Sequence, residues 1–500
     1  MQKSHKRALV KGLAIFATAM SVFGGIAWAE DYHVGPAQKL AKLVDVPWET
    51  LSPGDTVYIH WRSEEQGGDY HEKICLTRSG AEGRPIRIVG VKGPNGERPC
   101  LNGKDAATRT TDPEGNSTYY PGNQERGILC FSARANSGEH PQGADYWAVS
   151  GLKITGARPA HDFTNSFGKL CDYQRATAGL GSAAAGVFID RGNCLRFTDM
   201  ELTDNNNGFF GSSDNRFTTA RYVHDVILEE SLLYGNGAPN NASVHNAYVE
   251  VANWTVRSNY FGPLVADSGG SHIKDRGANT IIEGNFFDGT AVPLFLDPPE
   301  YSEGWMELQP GFETLTLRNN VIRKTNDLPV NAQDFIITGF DFYGTEKPMR
   351  TTLISNNTFI LSATRQKQWS FTVIDLIPKP QVVKWDGNIF LRYVDDKDAT
   401  PSGLTFVGKI NPVDKDTIIE IGPNNYLSGQ EPLTVQSEGR GEATIKNWEN
   451  MTLLPAMTRD ELEATLGVNL HDAKAADFGR FDPETNAWFK EHKAGATSKP

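Results

Sequence analysis

The chain has 500 residues, of which 39% are hydrophobic, and its formal net charge is -12 at pH 7. That charge argues against nucleic acid as a general partner, because nucleic-acid-binding proteins present strongly basic surfaces. An acidic ligand is not excluded, since a local cluster of cations can draw an anion into a cleft of an acidic protein.

Residues 1–29 have the three parts of a bacterial export signal. A basic start runs from Lys3 to Lys11, residues 12–26 are apolar, and Ala27-Trp28-Ala29 is a small-x-small cleavage site. We therefore expect a mature chain that begins at Glu30 and is located in the periplasm or outside the cell. No later run has the length of a membrane span, so we expect no membrane-spanning segment.

Residues 30–430 are predicted to form a single repetitive all-β domain. Short β-branched and aromatic runs end in Gly, Asn or Asp throughout this region, beginning with residues 53–59 and 85–90. A phrase with Asn followed by aromatic or aliphatic residues recurs, first at an interval of 26 residues. Its asparagines are Asn259, Asn285, Asn320, Asn357 and Asn388.

This repeat predicts a right-handed parallel β-helix, a solenoid of stacked coils. Asn suits a tight corner because it tolerates left-handed backbone and can bond its own main chain. The five asparagines should therefore line up along one corner. A propeller, the main competing architecture together with the jelly roll, would need longer and more regular four-stranded blades.

Five cysteines in an exported protein allow two disulfides and leave one thiol over. Cys75 and Cys100 are 25 residues apart, and Cys171 and Cys194 are 23 apart, so each interval matches one coil. Stacked cysteines of this kind suit either bridges between coils or buried free thiols. Their spacing is not that of a zinc site.

Two neighbouring segments, residues 245–250 and 272–276, carry most of the chemically useful side chains. Successive side chains of a strand face opposite ways, so inward Ala247, Val249 and Ile273 would place their neighbours outward. The resulting candidate site contains His245, Asn246, Tyr248, Glu250, His272, Lys274 and Arg276. Asp275 would face inward and would need a buried partner.

This row suits the removal of the proton next to a sugar carboxylate, followed by β-elimination. Arg276 can bind the carboxylate through two parallel hydrogen bonds. Lys274 or His272 would take the proton, and His272 or Tyr248 would protonate the leaving oxygen. The remaining members, His245, Asn246 and Glu250, would bind the substrate. A solvated strand with an Asp275–Arg276 or a Glu250–Lys274 ion pair is the non-functional alternative.

The stretch Arg276-Gly277-Ala278-Asn279, followed by Ile282-Glu283-Gly284-Asn285-Phe286-Phe287-Asp288-Gly289, resembles the signature of the chondroitinase B and alginate lyase family of β-helix polysaccharide lyases. The resemblance implies a catalytic lysine and arginine, with Arg276 as the arginine, and a calcium ion held by Asn and Glu. Here only Asn246 and Glu250 match the metal ligands. The family's lysine lies one coil earlier, where this chain has Tyr248-Val249-Glu250.

We therefore predict an exported, monomeric lyase that acts on an acidic exopolysaccharide, such as that of a biofilm. The segment is also similar to that of periplasmic mannuronan C5-epimerases, which implies roles for His272 and Asp275-Arg276. A glycoside hydrolase would instead use outward carboxylates, with candidates Asp190, Asp214, Glu250 and Asp297. A non-catalytic glycan-binding protein would use aromatic platforms. The candidates are Tyr260, Phe261, Phe286 and Phe287, but their position beside the corner asparagines marks them as core stacks.

Residues 431–500 are predicted to be a C-terminal extension with one short helix and an otherwise irregular, charged tail. Thr458-Arg459-Asp460-Glu461 has the pattern of a capping box and should open a helix that ends near Leu466.

Overall fold

The computed structural model describes residues 29–106, 126–133, 143–158, 184–215, 220–289, 292–325, 333–338, 350–376, 381–394, 399–409, 416–428, 433–436, 443–454, 458–466 and 491. Almost all of the predicted export signal lies outside these residues, and so does Cys171. Cleavage after Ala29 therefore stays a prediction. No helix in the described part of the chain is long and apolar enough to cross a bilayer.

The described strands form three long parallel sheets, and the predicted right-handed parallel β-helix is confirmed. One coil contributes a strand to each sheet in turn. Ala252–Arg257 lies in sheet 1, Tyr260–Phe261 in sheet 2 and Ser271–Asp275 in sheet 3, after which Thr280–Glu283 returns to sheet 1. Each coil pairs only with its neighbours, so the order of the strands in a sheet follows the chain.

The bounds of the strands, by sheet, are as follows. Sheet 1 contains Asp31–Val34, Thr56–His60, Ile86–Val91, Trp147–Ser150, Leu195–Thr198, His224–Glu229, Ala252–Arg257, Thr280–Glu283, Thr314–Arg318, Arg350–Ser355, Gln381–Asp386, Ile418–Ile421 and Thr444–Lys446. Sheet 2 contains Cys100–Asn102, Lys153–Thr155, Glu201–Thr203, Leu232–Tyr234, Tyr260–Phe261, Phe286–Asp288, Val321–Thr325, Thr358–Ser362, Ile389–Tyr393, Asn425–Ser428 and Met451–Leu454. Sheet 3 contains Ile74–Leu76, Gly127–Phe131, Ala185–Ile189, Asn207–Ser212, Ala247–Glu250, Ser271–Asp275, Val292–Leu296, Asp334–Thr338, Ser370–Leu376, Gly403–Lys409 and Leu433–Gln436.

The predicted asparagine ladder runs along the corner between sheets 1 and 2. The backbone N–H of each ladder residue donates to the side-chain oxygen of the next, as in Asn259 to Asn285 at 3.0 Å and Asn285 to Asn320 at 2.9 Å. The same bond continues through Asn357 and Asn388 and ends on Asn425, a rung that the sequence analysis did not include. The corner prediction is confirmed.

The ladder asparagines do not themselves adopt the left-handed backbone expected of them. That conformation belongs to the residue before each rung, for example Ser258 at φ 55° and Asn319 at φ 56°. At Gly387, φ is 63° and an added Cβ would lie 2.2 Å from Oδ1 of Asn356, so glycine here lets the Asn356 side chain keep its position. The rung residue turns its side chain inward to bond the neighbouring coils.

The solenoid continues beyond residue 430, because strands Thr444–Lys446 and Met451–Leu454 extend sheets 1 and 2. The predicted helix then follows as Arg459–Leu466. Its capping box is present, with Thr458 N donating to Oε2 of Glu461 at 2.8 Å and Glu461 N donating to Oγ1 of Thr458 at 3.3 Å. Leu462 packs the helix onto the outer face of sheet 2.

The cysteines in the described residues are free thiols. Cys75 lies in sheet 3 and Cys100 in sheet 2, so of the two alternatives for this pair the structure shows free thiols and no bridge. The coil next to that of Cys75 brings Cys130 into register with it. The other pair includes Cys171, which lies outside the described residues.

Candidate active site

One row of side chains runs along the outer face of sheet 3, since residues in register on neighbouring parallel strands stand about 4.8 Å apart. The row consists of Cys75, Cys130, Phe188, Phe210, Tyr248, Lys274, Phe295, Ile337 and Asp375. Lys274 is the one cation of this row in the described strands. It lies between aromatic neighbours, with polar groups gathered around it.

Tyr248 and Lys274 form the centre of the site, because they are in register on adjacent strands. The Lys274 ammonium lies 5.8 Å from the Tyr248 ring centroid and 4.5 Å from that of Phe295. Tyr248 donates its hydroxyl hydrogen to Oε2 of Glu300 at 3.2 Å. Burial raises the pKa of Tyr248 well above its ordinary value, so its phenol is protonated at neutral pH.

Arg276 lies at the end of the Lys274 strand and is held by two carboxylates. Its Nη2 is 3.3 Å from Oδ2 of Asp297, its Nε is 3.3 Å from Oε2 of Glu300, and its Nη1 donates to the carbonyl of Pro298 at 3.1 Å. Burial by itself lowers the pKa of Arg276, but the neighbouring Asp297, Tyr248 and Glu300 outweigh this effect and raise it above the ordinary value. Its side chain is only 3% exposed, although the sequence analysis placed it in solvent.

Glu250 anchors the loop that follows Asp297. Its Oε1 accepts the backbone N–H groups of Glu300, Tyr301 and Ser302 and the hydroxyl of Ser302, at 2.6 to 3.2 Å. Burial nevertheless raises the pKa of Glu250 to about 7. Because its oxygens face the protein, Glu250 positions the Glu300 loop and does not itself reach a substrate.

His245 borders Tyr248 as a neutral ring of fixed tautomer. Its Nδ1 lies 2.9 Å from the backbone N of Ser271, which can only donate, so the ring proton is on Nε2. Burial, together with the charges of Lys274 and Arg276, lowers the pKa of His245 well below its ordinary value. The ring contacts Tyr248 edge to face at 5.6 Å between centroids, and it can offer one hydrogen-bond donor to a ligand.

The outward placement predicted for His272 and Asn246 is wrong, because both side chains lie inside the corner between sheets 2 and 3. His272 is fully buried near the core rings of Phe261 and Phe287, and burial lowers its pKa to about 3. Asn246 Nδ2 donates to the carbonyl of Gly262 and lies 3.0 Å from Nδ1 of His272. Neither group can contact a substrate on the outer face.

Asp275 faces inward as expected and has the buried partners that this requires. Its Oδ1 accepts from the Thr280 hydroxyl at 3.1 Å and from Gly277 N at 3.3 Å. Arg350 reaches it from sheet 1, at 3.9 Å, and also donates to the carbonyls of Asp297 and Gly277. Burial raises the pKa of Asp275 to about 6 and lowers that of Arg350. This pair ties the Arg276 end of the strand to the solenoid interior.

The predicted calcium ligands do not fit an ion. Asn246 Oδ1 accepts from Nδ2 of Asn236 at 2.8 Å inside the corner, whereas the Glu250 oxygens are directed at backbone N–H groups. The two residues stand four positions apart along extended chain, about 13 Å. Within the described residues, no group of three or more His, Cys, Asp or Glu side chains could hold a metal.

The alternative sites also lack the surface that they would need. Arg221 binds both Asp190 and Asp214, Arg191 pairs with Asp190 as well, and Asp297 faces Arg276. With Glu250 anchored to its loop, none of the four predicted carboxylates stands open to a substrate. The epimerase-like set fails in the same way, since both His272 and Asp275 face inward. The rings beside the corner asparagines pack between the coils as expected, with Phe261 and Phe287 in the core and Phe286 in the cluster outside sheet 2.

Three residues that contribute to the site were not predicted from the sequence. Phe210 and Phe295 flank Tyr248 and Lys274 in the outer row, and strand register alone would have found them. Glu300 comes from a loop 52 residues after Tyr248, and no sequence pattern indicated its position.

A scan against protein-family models finds no match for this chain, and a search of curated proteins finds none either. Solved structures do resemble it. An alginate lyase from Paenibacillus sp. str. FPU-7 aligns over 83% of this chain and 99% of its own, with a TM-score of 0.37 and 14% identity.

Two further structures are similar to the same extent. The tailspike protein of E. coli bacteriophage HK620, solved with a pentasaccharide, aligns over 78% of this chain and 58% of its own, with a TM-score of 0.45 and 12% identity. The surface protein and adhesin PfbA of Streptococcus pneumoniae aligns over 83% and 92%, with a TM-score of 0.44 and 11% identity. Similarities this weak carry no argument about function, which has to come from the site itself.

Proposed function

We propose that this chain is a polysaccharide lyase that cleaves a uronate-containing polysaccharide by β-elimination on the outer face of sheet 3. The observation that carries the proposal is the adjacency of Tyr248 and Lys274, a phenol and an amine in register on neighbouring strands. Phe210 packs against the Tyr248 ring from one side of the pair, and Phe295, on the other side, offers apolar surface to the face of a sugar ring.

The Lys274 ammonium lies 3.8 Å from Oδ2 of Asp297. In the proposed reaction, Lys274 first releases a proton to solvent, and its Nζ, now an amine, takes the proton next to the uronate carboxylate. The electron pair of that C–H bond forms a carbon–carbon double bond as the glycosidic C–O bond breaks. Tyr248 gives its hydroxyl proton to the leaving oxygen, and solvent exchange then restores both groups. Tyr248 suits the acid role because it is protonated and already donates to Glu300.

Arg276 would stabilise the negative charge that develops on the carboxylate. Its partners differ in exposure, since Asp297 is fully buried and the Glu300 side chain is 24% exposed. A substrate carboxylate can therefore replace Glu300 beside Nε of Arg276, while Asp297 continues to hold the guanidinium in place. The neutral His245 ring, with its proton on Nε2, would add a hydrogen bond to the same carboxylate.

The test is the ultraviolet absorbance of unsaturated uronate during incubation with alginate, polygalacturonate and hyaluronan. Lys274→Ala and Tyr248→Phe should each lower kcat about 10²- to 10⁴-fold, since each removes a positioned proton-transfer group. The matched controls are Lys384→Ala on the outer face of sheet 1 and Tyr260→Phe on that of sheet 2, which should retain the wild-type rate.

Three results would contradict the proposal. Full activity in both site variants would show that the chemistry lies elsewhere. Saturated reducing ends from the wild-type protein would indicate hydrolysis. Binding of all three polymers without any cleavage would indicate a glycan-binding protein.

A further inference from the structure

Trp369 is exposed to a degree that its role in packing does not explain. Its relative exposure is 66%, whereas Trp147, Trp254 and Trp385 are all within 1% of full burial in the core. A tryptophan side chain can bury 150–250 Å² of surface, so this exposed ring offers a large contact area to a ligand.

The turn that carries Trp369 is firmly held. It joins Thr358–Ser362 of sheet 2 to Ser370–Leu376 of sheet 3, and it closes with Lys367 N and Gln368 N both donating to the Thr364 carbonyl at 3.0 Å. The turn also forms backbone hydrogen bonds with the next coil. Arg365 N donates to Thr400 O at 2.9 Å, and Gly403 N donates to the carbonyl of Trp369 at 2.7 Å. The backbone of the turn is therefore ordered before any ligand arrives.

Arg365 gives this ring a positive neighbour. Its guanidinium carbon lies 4.1 Å from the centroid of the Trp369 ring, which is a close cation–π contact. This contact leaves the opposite ring face for a ligand and sets a cation at the edge of the exposed surface. Lys367, exposed on the same turn, adds a second positive charge.

The turn leads into a strand of the sheet that carries the Lys274 row, and the row residue of that strand, Asp375, lies six residues after Trp369, about 20 Å along extended chain. The strand that begins directly after Trp369 contributes Asp375 to that row, three strands away from Lys274. Three strand spacings amount to about 14 Å along the solenoid axis. A polymer bound at Lys274 and crossing sheet 3 obliquely toward its corner with sheet 2 would reach the turn that carries Trp369.

We propose that Trp369 and Arg365 form a second sugar-binding subsite for an acidic polysaccharide, at a distance from the reacting bond. A sugar ring stacks on the free face of Trp369, while Arg365 pairs with a uronate carboxylate. The substrate class rests on the proposed lyase function, but the subsite is defined by its own residues.

The experiment is native affinity electrophoresis of the full chain in gels that contain alginate or polygalacturonate, with dextran gels as the uncharged comparison. Trp369→Ala should raise the Kd for the polyuronate about tenfold or more, as loss of an aromatic anchor commonly does. Trp369→Phe should recover most of the binding. Arg365→Gln should weaken binding and flatten its dependence on salt, because a screened charge pair is lost. Leu453→Ala, which truncates a side chain 52% exposed on sheet 2, is the control and should bind as the wild type does.

Binding and cleavage are read separately, so the two proposals can fail independently. If the wild type binds polyuronate and Trp369→Ala does not, the subsite stands even when no unsaturated product is found. Equal binding by the wild type and Trp369→Ala would overturn the subsite while leaving the lyase proposal intact. A wild-type protein that binds neither polyuronate, or that binds dextran equally well, would also overturn it.

Discussion

Removal of one rung from the asparagine ladder should strongly destabilise the solenoid. Asn320 is fully buried, and its side chain makes contacts to both adjacent coils. Its Oδ1 accepts the backbone N–H and the side-chain N–H of Asn285, at 2.9 and 3.0 Å. Its Nδ2 faces three oxygens, those of Ile282, Arg318 and Asn357, at 2.9 to 3.0 Å.

The magnitude follows from what Asn320→Ala leaves behind. The Asn285 backbone N–H becomes a buried donor without a partner, which costs about 1 to 3 kcal/mol. The three oxygens around Nδ2 also lose a donor, at about 0.5 to 1 kcal/mol each. The free energy of unfolding should therefore fall by about 3 to 5 kcal/mol, a factor of at least about 100 in the folding equilibrium constant.

The assay is urea denaturation followed by circular dichroism and tryptophan fluorescence, with Asn319→Gly as the matched control. Asn319 already has a φ of 56°, which glycine adopts freely, so the control should change stability by less than about 1 kcal/mol. Equal unfolding midpoints for the two variants would refute the view that the ladder carries this stability.

Asn320→Asp provides a second readout, because the introduced carboxyl would face three oxygens. Burial and repulsion would raise its folded-state pKa above the unfolded value of about 3.9. A raised pKa means that the native state binds the proton more tightly. The variant should therefore be least destabilised below about pH 4 and lose stability as pH rises, whereas Asn320→Ala should show no such added dependence.

Two buried charges lead to further predictions. Burial raises the folded-state pKa of Glu250 to about 7, so its contribution to stability should be complete below about pH 4.5 and should fall by about 2 to 3 kcal/mol as pH rises to 7. Glu250→Gln should remove this pH dependence from urea midpoints measured between pH 5 and 8. An unchanged pH dependence in the variant would show that other groups cause it. Arg350→Met should destabilise the fold by about 3 to 5 kcal/mol because it leaves the buried Asp275 carboxylate without its cation. Adding Asp275→Leu should recover much of that loss, as measured in thermal melts. A double variant no more stable than Arg350→Met would show that Arg350 stabilises the fold through its contacts with backbone carbonyls instead.

The fold could be predicted because its determinants repeat. Each coil needs inward apolar residues on its strands and a corner residue that bonds the neighbouring coils, and the repeat of Asn259 through Asn388 shows the second of these directly. The register of the Tyr248 and Lys274 strands followed from simple alternation, and the structure places Ala247, Val249 and Ile273 in the core as expected. The helix start at Thr458 could also be predicted, because its capping box involves only residues within one turn of the helix.

The rest of the site depends on contacts that sequence periodicity does not describe. Regular pairing between the two site strands begins only at Ala247 and Ile273, so His272 sits at the corner, where alternation no longer decides which way a side chain points. Glu300 reaches Tyr248 from an irregular loop, and its position depends on the hydrogen bonds of that loop to Glu250. Arg350 enters from the opposite sheet. Tertiary contacts of these kinds leave no periodic trace in the chain.

The asparagine ladder also has a direction, and this limits how the protein could be recombined. Every rung from Asn259 to Asn388 donates its N–H toward the C-terminal neighbour and receives from the N-terminal one. A block of coils transplanted from another solenoid must therefore begin with an acceptor at this corner, or the host rung before it keeps an unsatisfied buried N–H. The opposite junction is more permissive, because an asparagine oxygen that lacks a donor is a smaller penalty than a stranded backbone N–H. Chimeras of this chain should thus tolerate a foreign N-terminal block better than a foreign C-terminal one.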